Sequence, residues 1–146
     1  MTAFLIVLAV AAEAYLLGSV DTGILVSKYL YHDDVRTHGS GAAGMTNMLR
    51  TFGKKAAALT AAGDVLKGVL ACLLGLWLLG NTGASLAGIA VVLGHMYPVF
   101  YKFKGGKGVA TSLGTSLVLN PLLGDYPFRR LCGAGVAFKL VQAIGG

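Results

Sequence analysis

KKAAALTAAGDVLKGVLACLLGLWLLGNTG, residues 54–83, decides how this chain folds. Two cations open it, a run of apolar residues from about Lys55 to Leu79 follows, and Gly80-Asn81-Thr82-Gly83 closes it with the composition of a turn. A hydrocarbon core about 30 Å thick takes about 20 helical residues to cross, so the run is long enough to span a bilayer. Asp64 and Lys67 interrupt it three residues apart. That spacing puts both on one helix face, where pairing lowers the cost of placing either charge among apolar groups.

Apolar segments lie on both sides of this run. Thr2 to Leu30 reads as a first span. No basic residue precedes it and no small-x-small site follows, so it is not expected to be a cleaved leader. Glu13 and Asp21 within it are expected to face a bundle interior or an interface, because a bare carboxylate in lipid is costly. A third span runs from about Ala84 to Phe100, ending near Pro98. A shorter apolar piece, Val109 to Leu119, stops at Asn120-Pro121. With 55% hydrophobic and only 12% charged residues in 146, the chain lies outside the range of ordinary soluble domains. The expected fold is all-α, a polytopic integral membrane helix bundle of about four transmembrane or half-membrane helices. Residues 1–121 form one membrane domain and residues 122–146 a divergent tail.

Charge placement tests this layout. Lys28, Arg36, Arg50, Lys54 and Lys55 gather around the first polar loop, and Lys102, Lys104 and Lys107 in the second. Two spans separate the loops, so both emerge on one face, and the intervening turn at Asn81 carries no charge. Eight of the twelve cations therefore share a side, which the positive-inside tendency assigns to the cytoplasm.

The two loops are HGSGAAGMTNMLR, residues 38–50, and GHMYPVFYKFKGGKG, residues 94–108. Glycine lets a backbone approach a ligand closely and adopt positive φ, so that successive N–H groups point into an anion-binding hollow. Ser40, Thr46 and Asn47 add neutral donors, and Arg50, Lys104 and Lys107 add charge. A phosphate-bearing ligand at the membrane surface fits. The positive-inside tendency also produces basic loops without any ligand, so charge alone leaves both readings open. Gly39-Ser40-Gly41-Ala42-Ala43-Gly44 matches a dinucleotide-binding string, but no strand precedes it, and Met45 stands where a Walker A loop has lysine. Cys72 and Cys132 are scattered, and His32, His38 and His95 lack metal-ligand spacing. No metal or cofactor is expected. His95, at the edge of the second loop, is either a proton or phosphate contact or an interfacial hydrogen-bonding residue. The net charge of +6 follows from membrane sidedness, and no nucleic-acid partner is expected.

Leu17-Gly18-Ser19-Val20, Arg36 through Lys54, Asp64-Val65-Leu66-Lys67-Gly68 and above all Gly94-His95 through Lys104-Gly105-Gly106-Lys107-Gly108-Val109-Ala110-Thr111 resemble the membrane-integral bacterial glycerol-3-phosphate acyltransferases that use acyl phosphate, the PlsY family. The resemblance covers about residues 15 to 121. It implies transfer of a fatty acyl group from acyl phosphate to the 1-hydroxyl of glycerol 3-phosphate, giving lysophosphatidic acid, at the bacterial inner membrane with the site loops cytoplasmic. Its implied partners are acyl phosphate, glycerol 3-phosphate and membrane lipids. Carried over, Ser40, Arg50, His95 and Lys107 are the catalytic candidates, with His95 a positioning residue or proton acceptor. Gly39, Gly41, Thr46, Asn47, Lys104, Gly105 and Gly106 are the substrate-binding candidates. Residues 131–144 look instead like a short segment of DHH-type exonucleases, so the tail reads as the product of a fused or shifted frame. A catalytically inactive lipid-binding relative and a small transporter subunit are the alternatives.

Overall fold

The structure, a computed structural model, describes residues 1–119, and the expected tail lies outside them. Among the described residues every regular element is helical: α1 (Thr2–Ser19), α2 (Thr22–Tyr31), α3 (Met45–Phe52), α4 (Lys54–Met96) and α5 (Val109–Val118), with 3₁₀ turns at Val35–Thr37 and Val99–Tyr101.

α4 is a hairpin of two helices. At about 1.5 Å per residue, 43 residues in one straight helix would be twice the thickness of a bilayer core. The chain reverses at Leu79 and Gly80, where Gly80 takes φ +60° and ψ −150°, a conformation that glycine reaches without a Cβ clash. The first arm (54–78) and second arm (81–96) then pack antiparallel along small residues. A Cβ at Gly75 would collide with the carbonyl oxygen of Gly83, and Gly88 lies against Cys72. Such small-residue seams let helices approach where lipid supplies no hydrophobic drive for association. The turn expected at Gly80-Asn81-Thr82-Gly83 is therefore present and begins one residue earlier. The second arm stops at Met96, short of the expected Phe100, because Pro98 opens a 3₁₀ turn.

The first span differs from the expectation. It is not one helix but two, broken at Val20, which is extended (φ −72°, ψ 103°). Asp21 accounts for the break: its Oδ1 accepts from Ile24 N at 3.3 Å and so caps α2. The 18 residues of α1 reach about 27 Å, close to a bilayer core. Asp21 is fully buried, as expected. Glu13 is exposed and so does not face the bundle interior, because α1 turns the stripe Val10, Ala14 and Gly18 to the bundle.

α1 crosses the second arm where Gly18 meets the Val91 carbonyl and Gly94 meets the Tyr15 carbonyl. α5 crosses the first arm where Gly68 meets the Thr111 carbonyl and Gly114 meets that of Val65. Val10, Ala14, Ala71, Ala87, Ala90, Val91 and Val92 fill the upper core. Leu66, Leu70, Leu73, Trp77, Leu113 and Leu117 point outward, the inverse of a soluble helix and the expected surface for lipid. The chain is an integral membrane protein. Because α4 folds back on itself, Lys54 and Met96 lie at the same end of the bundle. The loops that precede and follow α4 meet there.

Candidate functional site

The first loop is built around Asn47. This residue is 2% exposed, and its side chain bonds to loop backbone alone: Oδ1 accepts from Ser40 N at 3.2 Å, and Nδ2 donates to the carbonyls of Val35 at 3.2 Å, His38 at 3.0 Å and Ala42 at 3.0 Å. Gly39 and Gly41 have φ of +53° and +72°, and a Cβ on Gly39 would strike Asn47 Oδ1. Gly41 N donates to the His38 carbonyl at 2.9 Å. Asn47 and the two glycines, expected as substrate contacts, thus act as the loop's internal frame. Ser40, Thr46 and Arg50 carry their side chains outside it, exposed, with Arg50 passing over the Gly39 turn.

Beneath the loop, Ile24, Val35, Ala43, Met48 and Ala56 form a lower core, closed by Tyr31, Phe52 and Tyr101. Tyr101 belongs to the second loop, and the Arg36 guanidinium lies over its ring at 5.7 Å, a cation–π contact that joins the two loops. Asp34 orients that guanidinium through two bonds, at 2.9 and 2.6 Å. The Arg36 pairing holds the Asp34 carboxyl down at about 2 and raises the Arg36 guanidinium. His38 Nε2 lies 2.7 Å from Asp33 Oδ2 on the exposed side.

The second loop closes on the helix that precedes it. Gly105 N donates to the Met96 carbonyl at 3.3 Å and Gly106 N to that of His95 at 3.2 Å, satisfying carbonyls that every helix C-terminus leaves open. These two amides were expected to face an anion. In the structure they strap the loop down, and glycine allows the close approach: a Cβ on Gly105 would strike the His95 carbonyl, and one on Gly106 the His95 ring at Nε2. Between them and Pro98 the chain makes two successive left-handed residues, Lys102 (φ +55°) and Phe103 (φ +59°), a conformation that costs a side-chain-bearing residue about 1 kcal/mol or more. The Phe103 N bond to the Pro98 carbonyl at 2.9 Å helps to hold it. Lys104 and Lys107 flank the strapped glycines, both exposed. Among the described residues no carboxylate lies within ion-pair distance of Arg50, Lys104 or Lys107. α5 begins just past Lys107, and the N–H groups of its first turn lack helix carbonyls to bond.

His95 is not at the surface. It is 2% exposed, and Asp64 and Lys67 are 1% and 5% exposed. Lys67 Nζ lies 2.7 Å from His95 Nδ1, 3.0 Å from the Val20 carbonyl and 2.9 Å from Asp64 Oδ1, the last an ion pair. The expected Asp64–Lys67 pairing is present, but its third member, His95, lies 28 positions from Lys67 and no sequence periodicity announced it. Tyr101 and the Asp34–Arg36 clamp were also missed. A single aromatic in a basic loop carries no signal of its own. Asp64 Oδ1 lies 3.6 Å from the same Nδ1; donation from a Lys67 ammonium to Nδ1 would leave the ring hydrogen on Nε2. His95, expected as a positioning residue or proton acceptor, turns Nδ1 to Lys67 and Nε2 to Gly106.

Three comparisons bear on this arrangement. The family profile described as Glycerol-3-phosphate acyltransferase matches residues 7–143. Curated glycerol-3-phosphate acyltransferases from Thermoanaerobacter sp. (strain X514) and Alkaliphilus metalliredigens (strain QYMF) are 56% identical over 114 residues and 51% identical over 115. They cover 78% and 79% of this chain, which spans 58% and 59% of their length. Crystal structures of PlsY, an integral membrane glycerol 3-phosphate acyltransferase, are similar in its glycerol 3-phosphate form (TM-score 0.73, 39% identity, 94% of this chain and 64% of that one) and its lysophosphatidic acid form (TM-score 0.72, 35% identity, 96% and 77%). With its profile matched over most of its length and its helices superposing on that fold, this chain belongs to the glycerol-3-phosphate acyltransferase family.

Proposed function

We propose that the chain serves transfer of a fatty acyl group from acyl phosphate to the 1-hydroxyl of glycerol 3-phosphate, with both loops on the cytoplasmic side of the bacterial inner membrane. The observation that carries this reading is the meeting of two cationic loops at one end of a lipid-facing bundle, joined by Arg36 and Tyr101. Both substrates bear phosphate and one bears a lipid chain, so a cationic surface at the membrane boundary suits them jointly. The relatives' names and the ligands of the PlsY crystal forms support the substrate assignment.

The chemistry asks little of a covalent kind. The 1-hydroxyl oxygen attacks the acyl carbonyl, the ester C–O bond forms, the carbonyl–phosphate bond breaks, and the hydroxyl proton leaves with the departing phosphate. An already activated donor needs orientation and charge stabilisation. Arg50 is suited to grip one phosphate through its planar fork, with Ser40 and Thr46 as neutral donors beside it. Lys104 and Lys107 act as point charges on the other phosphate. Asn47 and His95 hold the loops in shape.

The test is transfer from palmitoyl phosphate to labelled glycerol 3-phosphate by the purified chain in lipid. Lysophosphatidic acid formed by the wild type and lost in Arg50→Ala supports the reading. Saturable phosphate binding without turnover makes the chain a binding relative.

A further inference from the structure

We propose that Lys67 is a positioning residue that acts through His95 to set the second loop. The inference deepens the proposed function, on which it rests only in taking that loop as a phosphate holder. Lys67 stands on the first arm of α4, pairs with Asp64 on that arm and reaches two other segments. It bonds the Val20 carbonyl exposed by the break between α1 and α2 and donates to His95 on the second arm. The last contact fixes the ring. Asp64 Oδ1 also lies 3.6 Å from Nδ1 but is engaged by Lys67 at 2.9 Å, so with the ammonium donating to Nδ1 at 2.7 Å the tautomer with hydrogen on Nε2 is the one that fits.

That ring is the floor of the loop. Its own carbonyl receives the Gly106 amide, its Nε2 occupies the place a Gly106 side chain would take, and the Met96 carbonyl next to it holds Gly105. Lys104 and Lys107 flank those two glycines, so the orientation of His95 determines where both cations stand. Lys67 is too deeply buried to meet a soluble substrate, at 5% exposure. Its influence travels through the imidazole, and a break in α1–α2 that would otherwise leave a carbonyl open is built into the same device.

The experiment uses the full chain in lipid nanodiscs with ¹⁵N-labelled histidine and glycine. Long-range ¹⁵N spectra report the tautomer of His95, and the Gly106 amide reports titration with inorganic phosphate. Wild type is expected to show hydrogen on Nε2. Because Lys67→Met alone strands a buried carboxylate, the test variant is Asp64→Asn with Lys67→Met. It is expected to keep its helical signal while His95 becomes a mixture of tautomers and phosphate affinity at Gly106 falls about tenfold. Lys67→Arg is expected to restore both. Hydrogen on Nδ1 in the wild type overturns the proposal whether or not any variant folds. So does a folded double variant whose tautomer and phosphate affinity match the wild type. A tautomer change in a chain that binds no phosphate upholds the link from Lys67 to His95 and removes the phosphate reading of the loop instead.

Discussion

Replacing Asn47 by alanine removes the four side-chain contacts that draw the first loop around this residue. Nδ2 has two hydrogens for three carbonyls, so one hydrogen is shared, and with the Oδ1 acceptor the residue makes the equivalent of three bonds. At about 1 kcal/mol net each, the loss is roughly 3 kcal/mol. Water can reach the half-buried carbonyls of His38 and Ala42 but not the buried contact to Val35, which brings the expected loss to about 2 kcal/mol, a factor of roughly 30 in the population of the formed loop. Asn47→Asp is expected to be worse than alanine, because a carboxylate places an acceptor opposite three acceptors. Hydrogen exchange at the Ser40 amide, whose protection depends on Asn47 Oδ1, reads this directly and independently of turnover. Exchange should quicken by about 30-fold in Asn47→Ala. An unchanged rate in alanine refutes the framing role and returns Asn47 to the substrate contacts.

Gly94→Ala sets a methyl against the Tyr15 carbonyl and 3.0 Å from Ser19 N, backbone that cannot turn aside. It should lower stability by about 1–3 kcal/mol in thermal or denaturant unfolding, whereas Gly44→Ala, which meets nothing within 4 Å, should sit near the wild type. Arg50→Lys keeps the charge and loses the fork, so kcat/KM for acyl transfer should fall about 10- to 100-fold; near-native turnover would remove Arg50 from the phosphate contacts. Asp34 has its folded carboxyl lowered from 3.8 to about 2, so the stability it contributes is present above pH 4 and is lost as pH falls through 2. Being partly exposed, the pair should contribute at most about 1 kcal/mol. Protection of the Thr37 and His38 amides should drop across that window in the wild type and show a flatter profile in Arg36→Gln.

Much of the architecture was legible in residue order because lipid imposes strict accounting on a chain. Every backbone polar group in hydrocarbon must be bonded within its own segment, so apolar runs of sufficient length announce helices, and lysine and arginine announce which ends share a side. The α4 hairpin, the common face of the two loops and the Asp64–Lys67 pairing are all local or periodic features of this kind. The break after Ser19 was also written locally, in the capping ability of Asp21, but was hidden by the unbroken hydropathy around it. Composition singled out the polar members of two loops as candidates, and the resemblance to the family assigned them roles.

Tertiary structure decided how those members divide their work. Asn47, Gly105 and Gly106 have the chemistry of ligand contacts, yet their donors meet carbonyls that the fold brings to them first. Ser40, Arg50, Lys104 and Lys107 keep their heads exposed. The triad of Asp64, Lys67 and His95 exists only because the chain reverses at Gly80 and returns the second arm in the register that sets position 95 beside position 67. A sequence specifies which groups can donate and accept, whereas packing determines which of them find one another before a substrate does, because a buried polar group without a partner costs more than almost any other local feature.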